Sequence, residues 1–236
     1  EAGSQRMRDI INKNITEEQI VNCVSMLVNA DIMNLKLYMM VGLPFETESD
    51  VHAIVTLVSR IRQTFLETSR KKGKIGTITL SVNPFIPKPA TPFQWCGFLE
   101  ENLLRRRMKI IREGLKKVPN LQVNFESLRT ARQNCLLSKG DRRTADIIEE
   151  VLLKGWSKTM KDFSGYIRRI VHEPWNPDEA VPWDIVDTGV DRGFLAKEYR
   201  KAGLGKTSPP CPEIDCSRCG ICRRSTATSP HPSENR

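Results

Sequence analysis

No apolar run in the 236-residue sequence approaches the roughly 20 residues that a membrane-spanning helix needs. A membrane partner is therefore not expected. Aromatics make up only 6% and there are three histidines. No His-Glu-x-x-His pair, Walker loop or Ser–His–Asp pattern occurs, which removes the common zinc-hydrolase, nucleotide-triphosphate and serine-hydrolase readings. The basic runs are not interleaved with aromatics, so no stacking platform for single-stranded nucleic acid is visible. A basic-then-apolar opening of the secretory kind is also missing. The sequence starts at Glu1 and runs into the turn-like Ala2-Gly3-Ser4, which reads as a cut from something longer.

What is present is ordinary globular material, 39% hydrophobic and 28% charged, with a net charge of +9. The charge is densest at Arg105-Arg106-Arg107, Lys116-Lys117, Arg142-Arg143, Arg168-Arg169 and Arg223-Arg224. It permits a nucleic-acid partner, although solvated helix faces account for it as well. Of seven cysteines, Cys23, Cys96 and Cys135 lie far apart beside apolar patterns, and four crowd the C-terminal region. That distribution is unlike a secreted disulfide framework and predicts a reducing, cytoplasmic setting.

Three β-branched, apolar segments, Leu35 to Val41, Gly76 to Val82 and Leu121 to Phe125, alternate with helical patterns. Thr16 with Gln19, and Thr47 with Asp50, have the spacing of helix N-terminal caps. A third helix runs from about Leu99 to Val118. Successive strand–helix units predict an α/β fold with a parallel sheet covered on both faces, either open or closed into a barrel. From about Leu128 to Val171 the pattern is helical without strands. An irregular stretch with Trp175 and Trp183 follows, then a short helix near Phe194 to Lys201. Residues 223–236, almost free of apolar side chains, are expected to be disordered.

The sharpest motif is Cys211-x4-Cys216-x2-Cys219-x2-Cys222. Four thiolates saturate a tetrahedral zinc ion or a four-iron cluster, and the Cys-x2-Cys-x2-Cys run favours iron–sulfur over zinc. Two loops at strand ends come next: Val41-Gly42-Leu43-Pro44 and Asn83-Pro84-Phe85 with Pro87-Lys88-Pro89. Ligands of parallel α/β proteins bind at the C-terminal ends of strands, so both belong to one rim.

Several longer stretches carry a resemblance. Glu1 to Arg6, the run Leu35 to Pro44 with Glu46-Thr47, and Ser81 to Phe85 with Thr91-Pro92-Phe93-Gln94-Trp95 look like the later part of radical S-adenosylmethionine (SAM) enzymes. Gly140-Asp141-Arg142-Arg143, Pro182-Trp183-Asp184, Asp187-Thr188-Gly189-Val190 and the terminal cysteines are similar to a subgroup often fused to a cobalamin-binding-type domain. The resemblance implies a partial parallel (β/α) barrel entered after its fourth strand (residues 1–126), a mainly helical extension (127–205), a small cysteine-rich metal site (206–222) and the tail. It implies SAM contacts at Glu1, Ser4, Gly42, Pro44, Asn83 and Phe85. It also implies reductive cleavage of SAM at a 4Fe-4S cluster in the intact enzyme, and radical modification of an unknown substrate. The Cys-x3-Cys-x2-Cys that holds such a cluster does not occur in these 236 residues. The segment alone is therefore expected to be inactive without a missing N-terminal region or companion chain. Cys211, Cys216, Cys219 and Cys222 would hold an auxiliary iron–sulfur cluster or zinc. A basic, zinc-stabilised nucleic-acid-binding module without catalytic activity is the alternative.

Overall fold

The computed structural model describes residues 1–212 and 216–222, so the expected disordered tail lies outside the described residues. Strands β1 (Asn34–Val41), β2 (Thr77–Pro84) and β3 (Leu121–Phe125) form one parallel sheet in the order β1-β2-β3. Around it lie α1 (Gln5–Ile10), α2 (Glu17–Asn29), α3 (Glu48–Lys71) and α4 (Glu101–Leu115). The rest of the chain supplies α5 (Leu128–Lys139), α6 (Thr144–Lys154), α7 (Trp156–Asp162), α8 (Ser164–Val171), a 3-10 turn (Pro182–Ile185) and α9 (Arg192–Gly203).

The caps explain where the first long helices begin. Thr16 Oγ1 accepts from the Gln19 amide at 3.2 Å, and the Gln19 side chain accepts from the Thr16 amide at 2.8 Å. At α3 the Thr47 amide and hydroxyl both donate to Asp50 Oδ2, at 2.8 and 2.7 Å.

The expected partial (β/α) barrel is corrected by the sheet itself, which is open and, among the described residues, has three strands. A barrel needs its two outer strands to meet through tilt and stagger. Here β1 and β3 are both edges, separated by β2. The expectation of helices on both faces also fails. Leu35, Met39 and Val41 share a face with Ile78, Leu80 and Val82, and these join one buried cluster with Val51, Ile54 and Val58 of α3 and Leu104, Met108 and Ile111 of α4. On the opposite face Lys36, Tyr38, Thr79, Ser81, Gln122 and Asn124 are exposed or half-exposed. The period of two is masked by apolar Tyr38 and Met40 on the other face, which make β1 read as a continuous apolar run.

The same buried cluster continues through Leu128, Ala131, Cys135 and Leu136 of α5 to Ile147 of α6 and Ile167 and Ile170 of α8, so the helical extension shares the core of the sheet. Its docking is reinforced by a short backbone ladder: Phe98 donates to Val171 O at 2.7 Å and Trp175 to Trp95 O at 2.8 Å. Beside it, His172 Nδ1 lies 3.0 Å from Phe98 O, which gives this histidine a packing role. No described helix is long and apolar enough to cross a membrane.

Candidate functional site

The C-terminal rim of the sheet and the cysteine segment meet on opposite sides of α9. At the rim, the Met40 amide at the end of β1 donates to Glu1 O at 2.9 Å, and Met40 pairs in register with Asn83 of β2. Glu1, Met40 and Asn83 therefore form a row across the rim. The Glu1 carboxylate pairs with Lys13 at 3.0 Å. Asn83 is half-buried and makes no side-chain hydrogen bond among the described residues. Phe85, whose amide donates to Val41 O at 2.8 Å, packs with Met40, Leu43, Met7 and Ala202, and its ring meets Phe93 edge-on.

Ser4 and Gly42 are engaged by the protein's own groups. Ser4 caps α1 by accepting from the Met7 amide, and its hydroxyl donates to Asp50 Oδ1 at 2.6 Å. Burial alone would raise the Asp50 carboxyl, but hydrogen bonds from Arg6, Ser4 and Thr47 hold it well below the usual carboxylate range. Gly42 is buried at φ +85°, and a Cβ there would come within 2.7 Å of Leu104. Its glycine thus serves the turn and the approach of α4. Pro44 is half-buried beside it.

The Gly42 amide points to a group that sequence reasoning missed. Glu46 Oε2 accepts from Gly42 N at 2.8 Å and from Arg107 Nη1 of α4 at 2.7 Å, while Arg107 Nη2 donates to Glu46 O at 2.8 Å. The Glu46 side chain is 2% exposed. Burial pushes its carboxyl up to about 7, outweighing the Gly42 hydrogen bond and the Arg107 charge that act the other way. Arg107 belongs to a triplet read as solvated charge. Its position three residues after Leu104, at the border of the buried stripe of α4, was the available signal.

Above the rim, α9 brings Tyr199 against Phe45, Phe93 and Trp95, with ring centroids 5.8 to 6.4 Å apart. A Cβ on Gly203 would come 3.2 Å from the Phe45 ring. At the end of α5, Lys139 is fully buried and donates to Cys96 O at 2.6 Å. Burial lowers its ammonium below the ordinary lysine value, and pushes the thiols of Cys96 and Cys135 up to about 11. Both are inert, buried thiols, whereas Cys23 is exposed.

The cysteine segment docks on the start of α9. The Asp191 amide donates to Cys219 O at 2.7 Å, and the Asp191 side chain caps the helix by accepting from the Phe194 amide at 2.7 Å. Upstream, the Ser208 amide donates to Asn12 Oδ1 at 2.9 Å, tying the segment back to the end of α1. A cavity of about 650 Å³ lies between, lined by Phe194, Leu195, Lys201, Cys211, Cys216 and Cys219 among others. The Cys211 thiol is held above its ordinary value, first by desolvation and then by the thiols of Cys216, Cys222 and Cys219 around it. Three of the four cysteines, Cys211, Cys216 and Cys219, thus line one cavity. Among the described residues, however, no group of three or more His, Cys, Asp or Glu side chains is arranged to hold a metal ion.

An uncharacterized protein of Methanocaldococcus jannaschii is 32% identical to this chain over 151 residues. Those residues are 63% of this chain and 31% of that protein, so the chain spans less than a third of the relative it matches. No family model matches the sequence. No solved structure matches it either.

Proposed function

We propose that this chain is the C-terminal part of a radical SAM-type enzyme of the reducing cytoplasm. In this reading, Cys211, Cys216, Cys219 and Cys222 hold an auxiliary iron–sulfur cluster. The observation that carries the reading is the cavity that Cys211, Cys216 and Cys219 line beside α9, the helix that packs by Tyr199 and Ala202 on the strand rim. The donor set suits a cluster or zinc in kind and number: four soft thiols, three of which line one cavity. A bound cluster would supply electron transfer or a Lewis-acidic iron, zinc only structure.

The residues of this chain do the positioning. Asp191 and Gly220 fix the turn that carries Cys219; a Cβ at Gly220, which has φ +91°, would come 3.4 Å from Gly189 O. At the rim, Glu1, Asn83 and Phe85 offer a carboxylate, an uncommitted amide and an aromatic face for the nucleoside of SAM. Gly42, Pro44 and Ser4 shape the loops behind them. SAM cleavage itself rests with the Cys-x3-Cys-x2-Cys segment that these residues do not include. The chain is therefore inactive alone, and its substrate is selected with the help of residues outside it.

Anaerobic purification with metal and sulfide analysis tests this. Brown protein with about four iron and four sulfide per chain is the expected result. Colourless protein carrying one zinc would replace the cluster by a structural ion, and protein free of both metals would overturn the reading.

A further inference from the structure

A second surface lies away from the rim, where α4, α5 and α7 diverge. One groove of about 470 Å³ is bordered by Arg105, Lys109 and Arg112 of α4 and by Phe125 and Arg129. A neighbouring groove of about 430 Å³ is bordered by Arg129, Arg132, Trp156 and Lys161. Arg129 borders both, so the two adjoin as one basic depression. Six basic side chains line it against the carboxylates of Glu101 and Glu126, and Glu101 is already paired with Arg105.

We infer that this depression binds the phosphate backbone of RNA. Three features separate it from an ordinary solvated helix face. Lys109, Arg112, Arg129, Arg132 and Lys161 make no ion pair among the described residues, whereas solvated faces usually interleave the two signs. Arg129 sits in the first turn of α5, which holds no acidic residue, and there a cation opposes the positive end of the helix dipole. A placement that costs local stability points to a bound anion that compensates it. Finally, the Arg112 guanidinium lies 4.6 Å over the Phe125 ring, which holds it flat for a forked contact with phosphate.

RNA suits the surface better than the other polyanions. The depression has aromatic walls in Phe125 and Trp156 and hydroxyl donors in Ser127, Ser157 and Ser164, which serve bases, riboses and phosphates together. None of its large apolar side chains is fully exposed, with Met108 and Leu128 buried and Phe125, Trp156 and Met160 half-buried, which leaves little to insert into a lipid surface. This inference is independent of the metal at the cysteines, and its test requires none.

The test is fluorescence anisotropy of a labelled RNA hairpin of about 20 nucleotides with the whole chain, titrated between about 50 and 200 mM KCl. Arg129→Gln with Lys161→Gln removes two exposed cations that make no side-chain hydrogen bond or ion pair among the described residues. Arg70→Gln with Lys71→Gln, at the far end of α3, removes the same charge elsewhere. The groove variant should bind about tenfold more weakly, with a salt dependence shallower by roughly one to two in slope. The control should stay within about twofold, and both variants should melt like the parent. Equal weakening in the two variants would reduce the effect to net charge and overturn the inference. So would failure of the parent chain to bind at the lowest salt. Tighter, groove-dependent binding to phosphatidylserine vesicles or to a poly-glutamate peptide than to the hairpin would assign the surface to another partner.

Discussion

Replacing Arg107 by Ala should cost about 3–5 kcal/mol of stability at pH 8 and clearly less at pH 5. The reason is the Glu46 carboxylate, 2% exposed and bonded by Arg107 Nη1 and the Gly42 amide. Without the guanidinium a buried negative charge is left with one amide for a partner, and it escapes the cost only by taking up a proton. Burial already raises the carboxyl to about 7 in the intact protein. A carboxyl whose folded value lies above its unfolded one binds more protons in the native state. Its contribution is therefore fully present below the unfolded value of 4.5 and is lost as pH rises through about 7. Thermal melts from pH 4.5 to 8 should show this decline in the parent, a steeper one in Arg107→Ala, and none attributable to this group in Glu46→Gln. An Arg107→Ala protein that melts like the parent at pH 8 would mean that the pair is not buried as described.

Gly97→Ala should be as damaging, at about 3 kcal/mol or more. A Cβ at this position would lie 2.0 Å from His172 O, a backbone atom that cannot move aside without breaking the ladder between Trp95–Phe98 and Val171–Trp175. That ladder binds the helical extension to the loop leading into α4, and Trp95, buried at 1% exposure, is part of it. Limited proteolysis should cut the variant between α8 and the 3-10 turn under conditions that leave the parent intact. As a control, Gly73→Ala, at a glycine with no atom within 4 Å of the new Cβ but with φ +66°, should cost only about 1 kcal/mol. Equal effects at the two sites would show that the ladder does not hold the extension.

The strands, the capped helices and the helical extension were legible because each rests on local chemistry. Thr16, Thr47 and Asp50 cap where their spacing says they should, and the apolar stripes of α3 and α4 are the ones that become buried. Sheet closure was not legible, because it depends on whether the outer strands find each other, and β1 and β3 do not. The polar face was hidden by Tyr38 and Met40. Tyr38 is 53% exposed under Lys36, whose Nζ sits 5.0 Å from its ring, and Met40 is covered by residues of α1 rather than by a second layer of crossover helices. Of the candidate site, the cysteines announced themselves by spacing. Glu46 and Arg107 did not, being 61 residues apart with nothing in either segment naming the other. Lys139 is the extreme case: a lysine in the last turn of α5 reads as a solvated, dipole-compensating cation, and only the fold shows its ammonium enclosed against Cys96 O.

Metal retention in two single-cysteine variants tests the central claim most directly. Cys219→Ser removes one of the four proposed ligands, while Cys23→Ala alters an exposed cysteine of α2 on the far side of the sequence. Losing one of four thiolates leaves an open, hydrolysable position on the centre. After identical anaerobic purification, Cys219→Ser should lose most of its iron and sulfide while Cys23→Ala keeps the parent's content. Equal metal and sulfide in the two variants would contradict the account.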